Sequence, residues 1–142
     1  MLADVPYNTI TGSIIEAAIE VHRALGPGLL ESSYVTCLHY ELSRRGLRFD
    51  SQRAFPIRYK DITLPSAYRI DLIVEDLIVV EIKAVERLIT VYDAQLLTYL
   101  RMTNSPAGLL INFNVPKLLD GLKRVINSHY VPNPTRSDPP FL

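Results

Sequence analysis

The sequence predicts an α/β fold of the α+β type, in which helices flank a mixed β-sheet. Apolar residues recur at helical spacing over residues 11–25 and 29–45, which predicts two helices near the N-terminus. Alternating apolar residues over 68–83 predict a β-hairpin, and the continuous apolar run 107–113 predicts a buried strand. The expected element order is roughly α-α-β-β-β-α-β.

The N-terminal half contains the two helices and the first strand. The segment Gly26-Pro27-Gly28 breaks the first helix, and Gly46 ends the second. Residues 48–59 alternate loosely and predict one or two strands around Pro56.

The C-terminal half adds a third helix and one or two strands. A helix is expected from about Thr90 to Asn104, and it leads by a crossover into the buried strand 107–113. We expect this helix to pack on the core face of the sheet. Residues 121–127 fit either a last strand or a helical turn, and the pattern favours a strand.

The hairpin places ionisable residues within apolar strands. A three-residue loop over 75–77 would pair Val74 with Ile78 and set Asp71 directly opposite Glu81. Because side chains alternate along a strand, Lys83 shares the face of Glu81. The opposite face, which packs into the core, is expected to carry the aliphatic residues Ile70, Leu72, Val74, Ile78, Val80 and Ile82.

This arrangement has a chemical interpretation and a structural one. Two opposed carboxylates repel each other, and a divalent cation such as Mg²⁺ or Mn²⁺ would remove the repulsion. Asp71, Glu81 and the backbone carbonyl of Ile82 would then be ligands, and Lys83 would assist the attacking water. The alternative is a cross-strand salt-bridge cluster on a half-exposed sheet, because short charged spacings recur by chance.

Several motifs, taken in order, resemble the GxxExxY family of the PD-(D/E)xK nuclease-like superfamily. Its signature is carried by Gly28, Glu31 and Tyr34, within VHRALGPGLLESSY. YRIDLIV, VVEIKAV and LLINF follow, and the resemblance covers roughly residues 8–127. It implies a restriction-endonuclease-like fold and a candidate metal site.

The resemblance also implies roles for individual residues. Asp71, Glu81 and Lys83 match the core motif of the superfamily, although Ile70 stands where its name expects proline. The core motif supplies the metal ligands and the catalytic lysine.

Three residues outside the hairpin match motifs of particular branches. Glu31 matches a helical glutamate that adds a metal ligand, and Gln95 and Tyr99 match a Q-x-x-x-Y helix motif of exonuclease branches. From the residues alone, Glu31 is interpreted first as a favourable charge at a helix start, and Gln95 and Tyr99 merely share a helix face. No role is assigned to His22 or Tyr34.

Composition predicts one cytoplasmic domain, over residues 1–131, with a proline-rich flexible tail over 132–142. Cys37 is the only cysteine, which excludes an internal disulfide and fits a reducing compartment. The first twelve residues lack the features of a signal peptide, and no apolar run is long enough to cross a membrane.

The formal net charge is zero, which argues mildly against tight, non-specific binding of nucleic acid. A local basic patch is compatible with this balance, because basic residues crowd residues 44–60. A solvated face is the preferred explanation of that crowding. Aromatic residues are not concentrated in the basic segments. The sequence therefore gives no support for sequence-specific recognition of bases.

The sequence therefore predicts a Mg²⁺- or Mn²⁺-dependent nuclease that acts on nucleic acid, DNA more than RNA. The alternative is a non-catalytic module with a nuclease fold that binds a partner or nucleic acid. A homodimer that builds a longer nucleic-acid groove is a further alternative.

Overall fold

The computed structural model describes residues 6–132, and it has the predicted α+β fold with a mixed sheet of the restriction-endonuclease-like kind. The helices are α1 (Pro6–Leu25), α2 (Glu31–Arg44) and α3 (Thr90–Thr103). The strands are β1 (Phe49–Tyr59), β2 (Ile62–Val74), β3 (Ile78–Lys83), β4 (Ala107–Asn112) and β5 (Leu122–Ile126), and a 3₁₀ helix (Leu118–Gly121) precedes β5. The strand expected over 121–127 is thus confirmed. The predicted tail falls outside the described residues, apart from Pro132.

The five strands form one sheet in the order β1-β2-β3-β4-β5. Strands β3 and β4 are parallel, and the other neighbouring pairs are antiparallel. A parallel pair needs a crossover connection, and α3 provides it. Because β3 and β4 are central, both of their faces are buried.

Helices cover both faces of the sheet. Helices α1 and α2 pack on one face, against a cluster that includes Leu72, Val80 and Ile111. Helix α3 packs on the other face, where Leu96 and Leu100 contact Ile73, Val79 and Leu110. Our expectation that α3 would share the face of Leu72 and Val80 was wrong. Since β3 and β4 are apolar on both faces, their pattern did not distinguish between the two sides.

The predicted register of the β2–β3 hairpin is confirmed. Val74 pairs with Ile78, and Leu72 pairs with Val80. The turn has positive φ angles of 54° at Glu75 and 53° at Asp76. The Leu77 amide donates a hydrogen bond of 3.0 Å to the Val74 carbonyl, so the turn is closed locally.

The alternation along β2 changes at Asp71. Strand β1 pairs Ser51 with Leu72 and Arg53 with Ile70, but the intervening pair of Gln52 and Asp71 is missing. Gln52 has a φ of 54°, a left-handed conformation that distorts β1. As a result, Ile70 packs in the α3 cluster. The expectation that Ile70 would share the face of Leu72 was therefore wrong.

The loop before α2 is held by a buried tyrosine. The Tyr34 hydroxyl donates to the Gly26 carbonyl at 2.6 Å and accepts from the Leu29 amide at 3.1 Å. Gly28 has a φ of 99°, which favours glycine. Tyr34 also stacks on Phe113, with ring centroids 4.6 Å apart. These contacts determine where α2, and with it Glu31, begins.

None of the helices within residues 6–132 is both long enough and apolar enough to cross a membrane.

Candidate active site

Asp71 and Glu81 lie where β2 and β3 separate. The ladder between these strands ends at Leu72 and Val80, one pair short of the two carboxylates. Beyond that pair, the Asp71 amide donates to Glu81 Oε2 at 3.0 Å, and the Ile82 amide donates to Asp71 Oδ2 at 2.9 Å. Side-chain oxygens thus replace the backbone acceptors of a regular ladder. The structure brings the two predicted carboxylates together.

Glu81 is the most perturbed acid of the described chain. Its side chain is buried, with 6% of the residue exposed to solvent. Burial, and then the negative charge of Asp71, raises the pKa of Glu81 from 4.5 to about 8. The Asp71 backbone hydrogen bond and the charge of Lys83 act in the opposite direction. A perturbed acid of this kind is characteristic of functional sites, although ion-pair networks also produce it.

Glu31 acts on this pair from α2, which packs on the face of the sheet opposite α3. It lies at the first position of α2, and its residue is exposed. Burial raises its pKa, the charge of Asp71 raises it further, and Lys83 lowers it. The carboxyl of Glu31 also contributes to the raised pKa of Glu81. The three acids therefore influence one another electrostatically.

Their arrangement is not a compact cluster of ligands. Within residues 6–132, no group of three or more His, Cys, Asp or Glu side chains converges as it would around a metal ion. Asp71 and Glu81 form the close pair, and Glu31 acts on it through its charge.

Lys83 lies at the end of β3, and its side chain is half-buried. Its Nζ lies 4.5 Å from the centroid of the Tyr92 ring, a cation–π distance. Its positive charge acts on both Glu31 and Glu81. Tyr92, on α3, was not singled out by sequence reasoning, because one tyrosine on a helix carries no signal.

Tyr99 lies on α3 beside the acids. Burial raises the pKa of its hydroxyl, and the charges of Glu81 and then Asp71 raise it further, while a side-chain hydrogen bond with Gln95 lowers it. The structure therefore places Tyr99 beside the acidic pair, with Gln95 hydrogen-bonded to it. Tyr99 stacks on Tyr68, with ring centroids 4.8 Å apart and planes at 8°. Sequence reasoning did not identify Tyr68 as part of this site.

Asn112 is a further residue that sequence reasoning missed. It is buried at the end of β4, where it pairs in register with Lys83. Its side chain accepts from the Val85 amide and donates to the Val85 carbonyl, both at 3.0 Å. These bonds hold the chain that leaves β3 immediately after Lys83. A signal existed, because Asn112 interrupts the apolar run LLINF.

His22 has a structural role in this fold. Its ring Nε2 donates to the Val115 carbonyl at 2.7 Å, and the residue is buried. The hydrogen bond joins α1 to the loop after β4. A buried polar group that is satisfied in this way needs no ligand to explain it.

Comparison with known proteins gives one family match. A family model described as the PD-(D/E)XK nuclease superfamily matches residues 8–125. Neither the comparison with curated proteins nor the comparison with solved structures gave a significant match.

Proposed function

Because this chain belongs to the PD-(D/E)XK nuclease superfamily, we propose that it is a Mg²⁺- or Mn²⁺-dependent nuclease that hydrolyses phosphodiester bonds of DNA. Within the superfamily, we propose membership of the GxxExxY family, on the residues Gly28, Glu31 and Tyr34. The single cysteine, Cys37, supports a cytoplasmic location.

The observation that carries the proposal is the close pair of carboxylates, of which Glu81 is buried and Asp71 half-buried. Glu81 is 6% exposed and lies beside Asp71, so its ionised form is strongly disfavoured. A stable fold gains nothing from burying a charge without a counter-charge, and a divalent cation would supply one. Hard oxygen donors of this kind fit Mg²⁺ or Mn²⁺. Asp71 Oδ1 also accepts from the Gln52 side-chain amide at 3.3 Å. Because a carboxylate oxygen has more than one lone pair, both carboxylates could still bind a cation.

In this proposal, Asp71, Glu81 and the backbone carbonyl of Ile82 hold the metal, and Glu31 is a further ligand. The bound cation would lower the pKa of a coordinated water and neutralise charge on the phosphate. Burial, and then repulsion by the charge of Asp71, raises the pKa of both Glu31 and Glu81. A bound cation would lower both pKa values, because a positive charge favours the ionised form of a carboxyl group.

The neighbouring residues have supporting roles. Lys83 would orient the attacking water and stabilise the charge that develops on the phosphate. Gln95 and Tyr99 would position Lys83 or the substrate backbone, and they are proposed as positioning residues. The support is that Tyr99 is electrostatically coupled to Glu81 and Asp71, while it is hydrogen-bonded to Gln95.

The test is metal-dependent cleavage of single- and double-stranded DNA and RNA, with Lys83→Met compared against Lys117→Met. Both substitutions remove one lysine charge, but Lys117 is an exposed residue outside the acidic site. Loss of one charge-stabilising group lowers the rate by about 10²- to 10³-fold. We expect that loss for Lys83→Met, and a wild-type rate for Lys117→Met. Equal rates for the two variants would contradict the assigned role of Lys83.

A second candidate function is a non-catalytic module, and one observation favours it. Both carboxylates accept hydrogen bonds from backbone amides, at 3.0 and 2.9 Å, so they already stabilise the point where the strands separate. In that case the acids would be structural. Thermal stability with and without Mn²⁺ distinguishes the two, because a ligand that binds only the folded state raises its stability. A Mn²⁺-induced rise that is lost in Glu81→Gln supports the metal site, and no rise supports the module.

A further inference from the structure

Strands β1 and β2 extend well beyond the rest of the sheet. Strand β2 starts at Ile62, yet it pairs with β3 only from Leu72 to Val74. Before Leu72, its described ladder partners all belong to β1. We call this two-stranded projection the β1–β2 arm and define it as residues 53–69. Almost all of its residues are exposed.

The arm is basic, although the chain as a whole is neutral. It contains Arg53, Arg58, Lys60 and Arg69 but only one acid, Asp61, which amounts to a net charge of +3. Among the ion pairs in the described part of the chain, none involves Arg58, Lys60 or Arg69. Arg69 donates a hydrogen bond to the Gln52 carbonyl at 3.2 Å, and its charge, like those of Arg58 and Lys60, is not neutralised by an acid of the described chain.

The arm also exposes large apolar side chains near its tip. Ile57 pairs across the strands with Leu64, and Tyr59 pairs with Ile62. Tyr59 is 58% exposed and Ile62 is 59% exposed. Since side chains alternate along each strand, these four share one face, and Arg58 points to the other. Lys60 Nζ lies 5.3 Å from the centroid of the Tyr59 ring.

A ladder of stacked rings connects the arm to the candidate active site. The Arg53 guanidinium lies 5.0 Å from the Phe55 ring centroid, and Phe55 stacks on Tyr68 at 5.4 Å. Tyr68 stacks in turn on Tyr99 at 4.8 Å. Tyr99 is coupled to Glu81 and Asp71 through their charges. A polymer that followed this ladder would pass directly from the arm to the acids.

We propose that the β1–β2 arm binds single-stranded nucleic acid and leads it to the Asp71–Glu81 pair. This proposal rests on the proposed nuclease function and extends it, by naming the form of the substrate and the surface that holds it. Basic side chains would contact the phosphates, and unpaired bases would cover the exposed apolar face and stack on Tyr59.

A single strand fits these observations better than a duplex or a second copy of the chain. A duplex presents mainly phosphates and keeps its bases stacked, so the apolar side chains of the arm would stay uncovered. A second copy that offered an identical arm would be repelled by the net charge of +3, whereas the remainder of the chain, with a net charge of −3, offers negative charge but no unpaired bases. Only an unstacked strand offers both negative charge and flat apolar surfaces at close spacing.

The test measures binding without cleavage, by fluorescence anisotropy in EDTA. The probes are a fluorescein-labelled 20-nucleotide DNA strand of mixed sequence, the same strand as a duplex, and the RNA strand of the same sequence. Tyr59→Ala is compared with Tyr40→Ala. Tyr40 is a close match, because it is 63% exposed and lies under a cation, with Arg44 Cζ 6.0 Å from its ring centroid. Tyr40 lies on α2, away from the arm.

We expect Tyr59→Ala to weaken binding of the DNA strand about tenfold, as loss of one base-stacking platform does. Tyr40→Ala should bind as the wild type does, and the duplex should bind more weakly than the strand. If the RNA strand binds more tightly than the DNA strand, the ligand of the arm is single-stranded RNA. Equal affinities for the two tyrosine variants, or a preference for the duplex, would overturn the proposal.

A charge-reversal pair tests the phosphate contacts. The association constant for the DNA strand falls as the salt concentration rises. Arg58→Glu should make the slope of the logarithm of this constant against the logarithm of salt concentration shallower by at least about one, whereas Arg44→Glu should leave the slope unchanged. If Arg58→Glu instead alters the sedimentation coefficient and leaves binding intact, the arm is a protein interface and the proposal fails. Binding through the arm without any cleavage in Mn²⁺ would overturn the nuclease function alone. If the wild type cleaves DNA while the arm variants bind the strand as tightly as the wild type does, the proposed role of the arm is overturned and the nuclease function stands.

Discussion

Replacing Glu81 by glutamine should remove a large part of the pH dependence of folding stability. Glutamine has the shape of glutamate but cannot ionise. Its amide oxygen can still accept from the Asp71 backbone amide, as Glu81 Oε2 does at 3.0 Å. Its NH₂ group can donate to the neighbouring Asp71 carboxylate. The variant should therefore fold, and any change should come from the lost titration.

The magnitude follows from the pKa of Glu81. In the folded chain this pKa is about 8, against an ordinary value of 4.5. Because the folded value is the higher one, the stability linked to this group is complete below the unfolded pKa. It is lost as the pH rises toward the folded pKa. Each pH unit within that window costs about 1.4 kcal/mol. From pH 5 to pH 8, the wild type should lose roughly 3 kcal/mol relative to Glu81→Gln.

Urea denaturation in EDTA, followed by circular dichroism at several pH values, measures this difference. The comparison of the two proteins isolates Glu81, because other shifted groups, such as Glu75 and His39, titrate in both. Glu16→Gln, at an exposed position of α1, controls for the loss of one acid. If the wild type and Glu81→Gln lose stability in parallel between pH 5 and pH 8, the burial argument for Glu81 is refuted.

Two further predictions concern the fold around the site. Tyr34→Phe removes the hydroxyl that binds Gly26 and Leu29, and should cost about 1 kcal/mol, seen as a melting temperature lower by about 2–4 °C. An unchanged melting temperature would show that water replaces this hydroxyl fully. Gly121→Ala should destabilise by about 2 kcal/mol or more, because a methyl group there would overlap the Asn112 carbonyl oxygen. Gly12→Ala, which meets open space within α1, should instead gain about 0.5–1 kcal/mol in the same denaturation assay.

Local pattern was sufficient for much of the architecture. The hairpin register could be predicted because alternation and loop length both constrain it, and Val74 pairs with Ile78 as expected. The acidic pair followed from that register, because residues that are paired across a hairpin are close together for any packing of the helices. Helical periodicity likewise located α2 and α3 to within two residues, and it located the end of α1 but placed its start five residues too late.

Local pattern failed where the two faces of the sheet had to be distinguished. Strands β3 and β4 are buried on both faces, so their sequences are almost uniformly apolar. Such sequences do not indicate which face of the sheet a given helix covers. Consequently the face covered by α3 was predicted wrongly. Ile70 was misplaced for a different reason. The alternation of side chains along β2 is interrupted opposite Gln52, which has a left-handed backbone, and strict alternation does not predict such an interruption.

By itself, the sequence determined the order of the elements, the hairpin register and the proximity of Asp71 to Glu81. All three depend on contacts between residues near each other along the chain. Glu31 and Tyr99 were assigned to the site only through the family resemblance, and tertiary structure decided that both are electrostatically coupled to the same acids and that Tyr68 stacks on Tyr99. It also decided the pKa of about 8 at Glu81. Burial and electrostatic coupling depend on the neighbours that packing brings from distant segments, and no local pattern encodes those neighbours.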